Sequence, residues 1–340
     1  MRICIVGGIF DKPAEYRAQH SISPETVLAG GLRRRGWKVV ECGHADPLDL
    51  ADCDLVHVHH FGRAALRLAA RKQRPPFVLT THDPFSMNRL PVGWKRRLTD
   101  RLVLHRADKV VALSNAEREF LMRRRRLAPE RIAVIPNGIN SAIFDRPAEP
   151  PASPGNLLLF VGQLKDFKGL GYLLDAMPAV RRSFPDVQLQ IVYQTDAQLD
   201  RYLEQTAWLR LNGCVDFAGS RTAAALAQLY STTAIVVAPS LGECLSTVVL
   251  EAMCCGAAVV ATDVGGIREQ LDDETGVIVP PRDADALAHA IRALLADHDR
   301  RHKMGAAARK KARAQFNIQK MIDRHVRLYE GLLYSDERAA

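Results

Sequence analysis

Short apolar stretches rich in β-branched residues alternate with longer stretches of helical periodicity along most of the chain. The first half contains "RICIVG", "KVVEC", "DLVHVHH", "FVLTTH", "KVVALS" and "IAVIPN". The second half contains "LLLFVG", "QLQIVYQ", "VDFAG", "AIVVAPS", "AAVVATD" and "GVIVP". Continuous apolar strands that alternate with helices are typical of parallel sheets covered on both faces. The pattern therefore predicts an α/β protein with two Rossmann-like, doubly wound parallel sheets.

A proline-rich stretch at residues 147–154 separates the two series of strands and is the strongest linker signal in the chain. A length of 340 residues exceeds one ordinary domain and fits two. We predict an N-terminal domain at 1–148, a C-terminal domain at 149–316, and a final helix within 317–340 that packs back on the N-terminal domain. Ligands of such sheets bind at the carboxyl ends of the strands, so we expect the two domains to face a cleft.

Positive charge is concentrated in the first half of the chain. Residues 1–148 contain 26 Lys and Arg against 15 Asp and Glu, a net charge of +11, whereas the rest carries −2. Such a field favours an anionic partner, namely a phosphorylated acceptor, an anionic membrane surface or nucleic acid, although a solvated arginine-rich surface explains it equally well. Because the sequence has neither a signal peptide nor a long apolar run, we expect a cytoplasmic protein.

The segment "GECLSTVVLEAMCCG" places two glutamates, Glu243 and Glu251, in an otherwise apolar run. It follows a predicted strand and continues as a predicted helix that Gly256 closes. A helix start aimed into a cleft suits a diphosphate, and eight helical residues span roughly 12 Å, about the length of a nucleotide sugar. Since a carboxylate can accept hydrogen bonds from two hydroxyls, one glutamate can hold a sugar and the other a ribose. The alternative is a capping Glu243 and a surface Glu251.

The longer stretch "PSLGECLSTVVLEAMCCGAAVVATDVGGIREQL" resembles the donor-binding motif of glycosyltransferase family 4, retaining enzymes of the GT-B fold with an E-x(7)-E signature. Other segments agree in order, including "DLVHVHHFG", "ADKVVALSNAEREFL" and "FVGQLKDFKGLGYLLDAM". The resemblance implies metal-independent transfer of a sugar from a nucleotide diphosphate sugar, a UDP-sugar first and a GDP-sugar next. That donor is a co-substrate, so no cofactor is expected. Glu243 would bind the sugar hydroxyls and Glu251 the ribose.

The segment "FVGQLKDFKG" also follows a strand and precedes a helix, so Lys168 can reach the same cleft as a point charge for a departing diphosphate. The family usually has an arginine where Gln163 stands. Either Lys168 and the helix dipole suffice, or another arginine substitutes, or activity is low. The last case leaves a catalytically weak GT-B protein that binds a nucleotide sugar or a partner. The remaining donor-binding residues that the resemblance implies are Gly162, Cys244, Leu245, Ser246 and Thr247.

In the N-terminal half, the resemblance places His82 of "TTHD" near the transferred sugar, with a buried structural histidine as the alternative. Asp83 follows it as a weaker candidate. Many family members have a Gly-Gly pair just before the first helix, whereas here the pair ends the first strand. Gly8, Ser23 and Thr26 are therefore the candidates for an acceptor loop. The acceptor itself is unknown, and an anionic or lipid-linked molecule suits the charge.

Two further patterns bear on partners. "DCD" at 52–54 and the histidines of "HVHH" suggest metal binding, but neither has the context of a metal site, and no metal is expected. Trp94, Leu98 and Leu102 recur at helical spacing among basic residues. This pattern fits either a helix lying on an anionic membrane or an ordinary helix with its apolar stripe packed inward, and we expect the second. A peripheral position on the inner face of the membrane stays open, and nucleic acid is not expected as a partner.

Overall fold

The computed structural model describes residues 1–19, 23–47, 50, 52–82, 93–144, 155–195 and 197–334. They form two compact units, one of Met1–Gly138 with Ile318–Ala340 and one of Ile139–Asn317. The predicted boundary between residues 148 and 149, together with the proline-rich stretch 147–154, lies outside the described residues.

The first unit is built on a six-stranded parallel sheet with the strand order β2-β1-β3-β4-β5-β6. Its strands are β1 (Arg2–Val6), β2 (Lys38–Cys42), β3 (Leu55–His59), β4 (Phe77–Thr80), β5 (Lys109–Ala112) and β6 (Ile132–Val134). The α-helices of this unit are Ala14–Gln19, Pro24–Arg34, Arg63–Ala70, Trp94–Arg106, Asn115–Arg125 and Ile318–Leu333.

The second unit contains a second six-stranded parallel sheet with the strand order β12-β11-β10-β7-β8-β9. Its strands are β7 (Leu157–Val161), β8 (Gln188–Val192), β9 (Val215–Gly219), β10 (Ile235–Ala238), β11 (Ala258–Thr262) and β12 (Val277–Val279). Its α-helices are Ser141–Phe144, Leu170–Ser183, Leu199–Trp208, Ala223–Thr232, Thr247–Cys255, Ile267–Gln270, Ala284–Ala296 and His298–Gln315.

The central strands are buried along their whole length, as their continuous apolar sequences predict. Every residue of β3, β4, β10 and β11 is buried. Because helices cover both faces of a parallel sheet, such strands have no solvent side, so even the alternating His57 and His59 of β3 are buried. The predicted fold class, two doubly wound parallel sheets, is confirmed.

The helix Ile318–Leu333 belongs to the first unit although it stands at the other end of the chain. It packs on the helix Pro24–Arg34, and Tyr329 and Ile322 are buried in the core of this unit. Gly31 makes this close packing feasible, since a Cβ atom there would stand 2.2 Å from Ile322 Cδ1. The last helix therefore completes a core that begins with the first strand.

The helix Trp94–Arg106 contradicts the expected inward packing of its apolar stripe. Trp94, Leu98 and Leu102 are 68%, 59% and 46% exposed. The helix instead buries Val103 and Leu104, which lie on the opposite side of the helical wheel. Regular apolar spacing shows that three residues share a face, but not which face the neighbouring helix covers.

Among the described residues, no helix combines the length and the apolar character that a bilayer span requires.

Candidate functional site

The segment with the two glutamates forms a loop after β10 and then the helix Thr247–Cys255. Ser246 caps this helix, because its Oγ accepts a hydrogen bond from the Val249 N–H at 3.4 Å. Gly256 ends it in the left-handed conformation, with φ of 78°. The helix start is thus fixed by the short polar residue that precedes the apolar run.

Gln270 fixes the same helix start from a different element, and the sequence analysis missed this residue. Its Oε1 accepts from the Ser246 N–H at 2.9 Å, and its Nε2 donates to the Ser246 carbonyl at 2.8 Å. The amide of Ser246 is therefore already engaged. Of the four donor-binding residues expected between Glu243 and the helix, Cys244, Leu245 and Ser246 are buried and Thr247 is exposed.

Glu243 and Lys168 lie in direct contact. Glu243 Oε1 accepts from Lys168 Nζ at 2.7 Å and from Ser240 Oγ at 2.8 Å. The carboxylate is largely buried, since the Glu243 side chain is 11% exposed and that of Lys168 is 20% exposed. A buried carboxylate is stable only with such partners. The structure thus joins two residues that stand 75 positions apart.

The loop that carries Lys168 is held against the end of β10 by a backbone contact that requires glycine. Gly169 has a φ of 72°, and a Cβ atom there would come within 1.8 Å of the Pro239 carbonyl oxygen. The Leu241 N–H donates to the Phe167 carbonyl at 2.7 Å. This packing brings the Lys168 ammonium to the loop that contains Glu243.

Two further residues of the predicted donor site lie at the end of β7. Gly162 stands beside the Lys168 side chain, with Lys168 Cδ 3.8 Å from the position of a Cβ atom. Gln163 is half-buried one residue later, and its carbonyl accepts from the Lys165 N–H at 2.9 Å. Gly162 and Lys168 therefore lie at the same end of the second sheet, with Gln163 next in the chain.

Glu251 is buried inside the second unit, so the alternative of a surface residue is wrong. The residue is 9% exposed, and its Oε2 accepts from the Tyr230 hydroxyl at 2.8 Å. Burial raises the pKa of Glu251 to about 7, while the hydrogen bond from Tyr230 acts in the opposite direction. Near neutral pH this carboxyl group therefore exists in both protonation states.

In the first unit, His82 belongs to a cluster of histidines at the ends of β3 and β4. His82 Nε2 lies 3.0 Å from His59 Nδ1, and its ring centroid lies 4.5 Å from that of His60. Burial lowers the pKa of His82 well below its usual value. At neutral pH His82 is an uncharged imidazole, which can share a hydrogen bond but supplies no charge.

Glu25 is the acidic member of this cluster, and the sequence analysis missed it. Its Oε1 lies 3.4 Å from His60 Nε2. Burial alone would raise the pKa of Glu25, but the hydrogen bond with His60 and the nearby histidines lower it below its usual range. A Cβ atom at Gly7 would stand 2.7 Å from Glu25 Cγ, so Gly7, one residue before the predicted Gly8, is the glycine in close contact. The sequence signal that could have identified Glu25 was its position as an acidic residue in the first turn of a predicted helix.

The expected acceptor-loop residues mainly build local structure. Ser23 caps the helix Pro24–Arg34, because its Oγ accepts from the Thr26 N–H at 3.3 Å. Thr26 Oγ1 in turn donates to the Ser23 carbonyl at 2.9 Å. Gly8 begins a single helical turn that runs to Asp11. Asp83 lies outside the described residues.

The aspartates of "DCD" have structural partners at the edge of β1. Asp54 accepts from the Arg2 N–H at 2.7 Å, and Asp52 pairs with the Arg2 guanidinium at 3.0 Å. Across the part of the chain that the structure describes, no group of three or more His, Cys, Asp or Glu side chains is arranged to hold a metal ion.

Two family models match the chain in the order of the two units. The model described as "Glycosyltransferase Family 4" matches residues 45–142, and the model "Glycosyl transferases group 1" matches residues 155–297.

Curated relatives match over most of their own length. The alpha-maltose-1-phosphate synthase of Mycolicibacterium smegmatis is 30% identical over 81% of this chain and 78% of its own. A phosphatidyl-myo-inositol mannosyltransferase of Mycobacterium tuberculosis is 33% identical over 82% of this chain and 74% of its own. A D-inositol 3-phosphate glycosyltransferase of Frankia alni is 30% identical over 75% of this chain and 69% of its own.

Solved structures share the fold at lower identity. Sucrose-phosphate synthase from Thermosynechococcus elongatus superposes with a TM-score of 0.83 at 22% identity, over 99% of this chain and 100% of that one. Anabaena HepE in complex with UDP-glucose superposes with a TM-score of 0.78 at 20% identity, over 97% of this chain and 100% of that one.

Proposed function

Because the chain belongs to glycosyltransferase family 4, we propose that it transfers a sugar from a UDP-sugar, with a GDP-sugar as the second choice, to a phosphate-bearing acceptor. The broader activity is that of a GT-B glycosyltransferase that uses a nucleotide sugar. This membership favours an enzyme over a weak binding protein. The observation that carries the proposal is the contact of Glu243 with Lys168 at the start of the helix in which Glu251 is buried.

In the proposed donor complex, each charged group has a separate role. Glu243 accepts hydrogen bonds from the hydroxyls of the transferred sugar, and Glu251 accepts from those of the ribose. The Lys168 ammonium has three N–H groups, so it can keep its bond to Glu243 and still donate to the diphosphate. The start of the helix Thr247–Cys255 adds its dipole for the same anion.

The proposed reaction is front-face attack with retention at the anomeric carbon. The acceptor oxygen attacks as the bond to the diphosphate breaks, and the leaving diphosphate helps to take the acceptor proton. Catalysis then depends on positioning and on stabilising the negative charge of the leaving group, which is the role of Lys168. His82, uncharged at neutral pH, would contribute a hydrogen bond to the sugar.

The acceptor is proposed to carry phosphate on two grounds. The names of the relatives include inositol 3-phosphate, phosphatidyl-myo-inositol and maltose-1-phosphate. Residues 1–148 of this chain also carry a net charge of +11, which attracts anions. A lipid-linked phosphate is included in this class.

We further propose that the helix Trp94–Arg106 rests on an anionic membrane surface. Trp94, Leu98 and Leu102 are exposed, and Lys95, Arg96, Arg97 and Arg101 are exposed around them. Apolar side chains ringed by cations are the combination that binds at the interface of anionic lipids. This arrangement would place the enzyme beside a lipid-linked acceptor.

A thermal-shift panel with UDP, GDP, ADP and their common sugars tests the donor. Ligands stabilise the native state according to their concentration relative to the dissociation constant. We expect uridine nucleotides to raise Tm of the wild type, with a much smaller shift for Glu251→Ala. Equal shifts in the two proteins would exclude Glu251 from the ribose site, and the absence of any shift would contradict the nucleotide-sugar donor.

A matched panel of acceptors tests whether the acceptor must carry a phosphate group. With the donor fixed, turnover is compared between inositol 3-phosphate and free inositol, and between vesicles with and without phosphatidylinositol. We expect transfer to one of the phosphate-bearing acceptors and none to free inositol, and NMR of the product gives the anomeric configuration. Faster transfer to free inositol, or an inverted product, would contradict the proposal.

A further inference from the structure

We propose that Tyr230 is a positioning residue for donor binding, which holds Glu251 in the orientation that receives the ribose hydroxyls. The inference rests on the proposed function, because it assumes that Glu251 binds the donor. Tyr230 lies 21 residues before Glu251, on a different helix, and neither the family signature nor the loop that carries Glu243 includes it.

Among the described residues, the hydroxyl of Tyr230 makes one hydrogen bond, and it lies inside a packed core. The residue is fully buried on the helix Ala223–Thr232, which packs against the helix Thr247–Cys255. Its ring lies 6.3 Å from that of Phe144, which is also fully buried. The hydroxyl donates to Glu251 Oε2 at 2.8 Å. A buried tyrosine hydroxyl normally requires a partner, so the packing of the ring fixes one oxygen of the carboxylate.

The hydrogen bond from Tyr230 gives the two oxygens of the Glu251 carboxylate different roles. Oε2 is directed into the core by Tyr230, and the remaining lone pairs are left for hydroxyls of a ligand. Since a fixed acceptor loses little conformational entropy when a ligand binds, the tyrosine preorganises the ribose contact.

The same contact controls the charge of Glu251. Burial raises the pKa of this carboxyl group to about 7, and the Tyr230 hydroxyl favours the ionised form. Burial raises the pKa of Tyr230 well above its usual value, so the hydroxyl remains a donor across the working range. Without it, Glu251 would be protonated over more of the neutral range and would accept ribose hydroxyls less well.

The test is the pH dependence of donor binding in the wild type and in Tyr230→Phe. The probe is UDP-glucose, whose diphosphate is a diester and does not titrate between pH 6 and 9. We expect Tyr230→Phe to weaken binding about tenfold at pH 7 and less at pH 8.5, where Glu251 ionises again. At saturating donor, kcat should be unchanged. A purely structural defect would not weaken with rising pH.

Tyr202→Phe is the matched control, because Tyr202 is an equally buried tyrosine of the same unit whose hydroxyl lies 3.5 Å from Gln198 rather than at Glu251. It should bind UDP-glucose as the wild type does. If Tyr230→Phe binds like the wild type at every pH while Glu251→Gln is impaired, the positioning role is overturned and the ribose assignment stands. If Glu251→Gln also binds normally, the assignment of Glu251 in the proposed function fails.

A second measurement does not depend on ligand binding. Carbon-13 NMR of labelled glutamate carboxyl groups gives the pKa of Glu251 directly in the wild type and in Tyr230→Phe. We expect a higher pKa in the variant, because the donor to the ionised form is lost. An unchanged pKa would overturn the inference even if UDP-glucose proved to be the wrong donor.

Discussion

At the scale of single residues, one oxygen of Glu243 receives both the Lys168 ammonium and the Ser240 hydroxyl. The lysine is thereby held in the site before any donor arrives. In the proposed donor complex, the removal of Lys168 would have two effects, since it would deprive the diphosphate of a cation and leave the Glu243 carboxylate with less compensation. The two side chains form an ion pair, so neither can be changed without affecting the other.

Replacing Lys168 by methionine keeps most of the side-chain volume and removes the charge. We expect kcat to fall about 100-fold, because the negative charge on the leaving diphosphate is no longer stabilised. Steady-state kinetics with saturating donor gives this value. Lys165→Met is the control, since Lys165 is an exposed cation three residues earlier and should retain normal turnover. Equal kcat values for the two variants would exclude a role for Lys168 in the chemical step.

Gln163 stands where the family pattern has an arginine, and restoring the positive charge tests its effect on donor binding. Gln163→Arg adds a cation at the end of β7, next to Gly162, which lies beside the Lys168 side chain. We expect the donor KM to decrease several-fold, with the largest effect at low ionic strength, because salt screens a partly exposed charge. An unchanged or higher KM at low salt would indicate that the site does not place a phosphate near this residue.

At the scale of elements, the site depends on two close contacts among three loops of the second unit, which follow β7, β10 and β11. Gly169 meets the Pro239 carbonyl, and Gly265 meets the carbonyl of Glu243, where a Cβ atom would come within 1.7 Å. Neither contact could be inferred from the sequence, because a glycine required by a neighbouring backbone looks the same as one required by a turn. What the sequence did show was the strand–loop–helix order that places these three loops at one end of the sheet.

Gly169→Ala should therefore lower the free energy of unfolding by more than the strain of a non-glycine residue at positive φ explains. Gly213 is the matched control, since it also has a positive φ, of 85°, but no atom lies within 4 Å of an added Cβ. We expect Gly213→Ala to lose about 1 kcal/mol of unfolding free energy and to retain kcat. Gly169→Ala should lose more and should also reduce kcat, because the loop with Lys168 is displaced. Similar losses in the two variants, with normal kcat, would rule out the loop contact as a determinant of the site.

The exposed stripe of the helix Trp94–Arg106 predicts binding to anionic vesicles. The wild type should co-sediment with vesicles of phosphatidylglycerol but not with vesicles of phosphatidylcholine, because the Lys and Arg side chains of this helix require anionic lipid. The double variant W94A/L98A should lose most of this binding. Trp208→Ala, at a tryptophan that is 80% exposed in the other unit, should not. Retention of full binding by the double variant would place the membrane contact elsewhere.

At the scale of the whole molecule, much of the fold followed from continuous apolar strands that alternate with helical stretches, a pattern typical of parallel sheets covered on both faces. The residues of the donor site that share one segment, Glu243 and Glu251, followed from their spacing. Tyr230, the partner of Glu251, and Gln270, the partner of Ser246, did not, because each reaches the site from another helix through tertiary packing. The exposure of Trp94 was missed for a related reason, since periodicity does not identify the neighbour of a helix.

The buried histidines of the first unit predict a loss of stability in acid. Burial lowers the pKa of His59 to about 3 and that of His325 to about 4, against 6.5 in an unfolded chain. Below pH 6.5 the unfolded chain therefore binds protons that the folded unit does not. The free energy of unfolding should fall from that pH downward, by about 2 kcal/mol at pH 5 for each histidine that remains neutral.

Denaturant unfolding in a W94F/W208F background measures this effect, because Trp37, in ring contact with Tyr329 at 5.7 Å, then reports the first unit alone. His325→Gln should show a shallower dependence on pH between 6.5 and 4 than this background, since one titrating group is removed. His105→Gln, at an exposed histidine of the same unit, should keep the original slope. Identical slopes in all three proteins would contradict the assignment to buried histidines.

The placement of the helix Ile318–Leu333 sets the order in which the newly made protein can fold. The first unit lacks Tyr329, Met321 and Ile322 of its core until residues 318–333 have left the ribosome. The second unit has all of its residues, 139–317, before that point. During synthesis the second unit is therefore the first that can be completed, and residues 1–138 wait for the helix Ile318–Leu333.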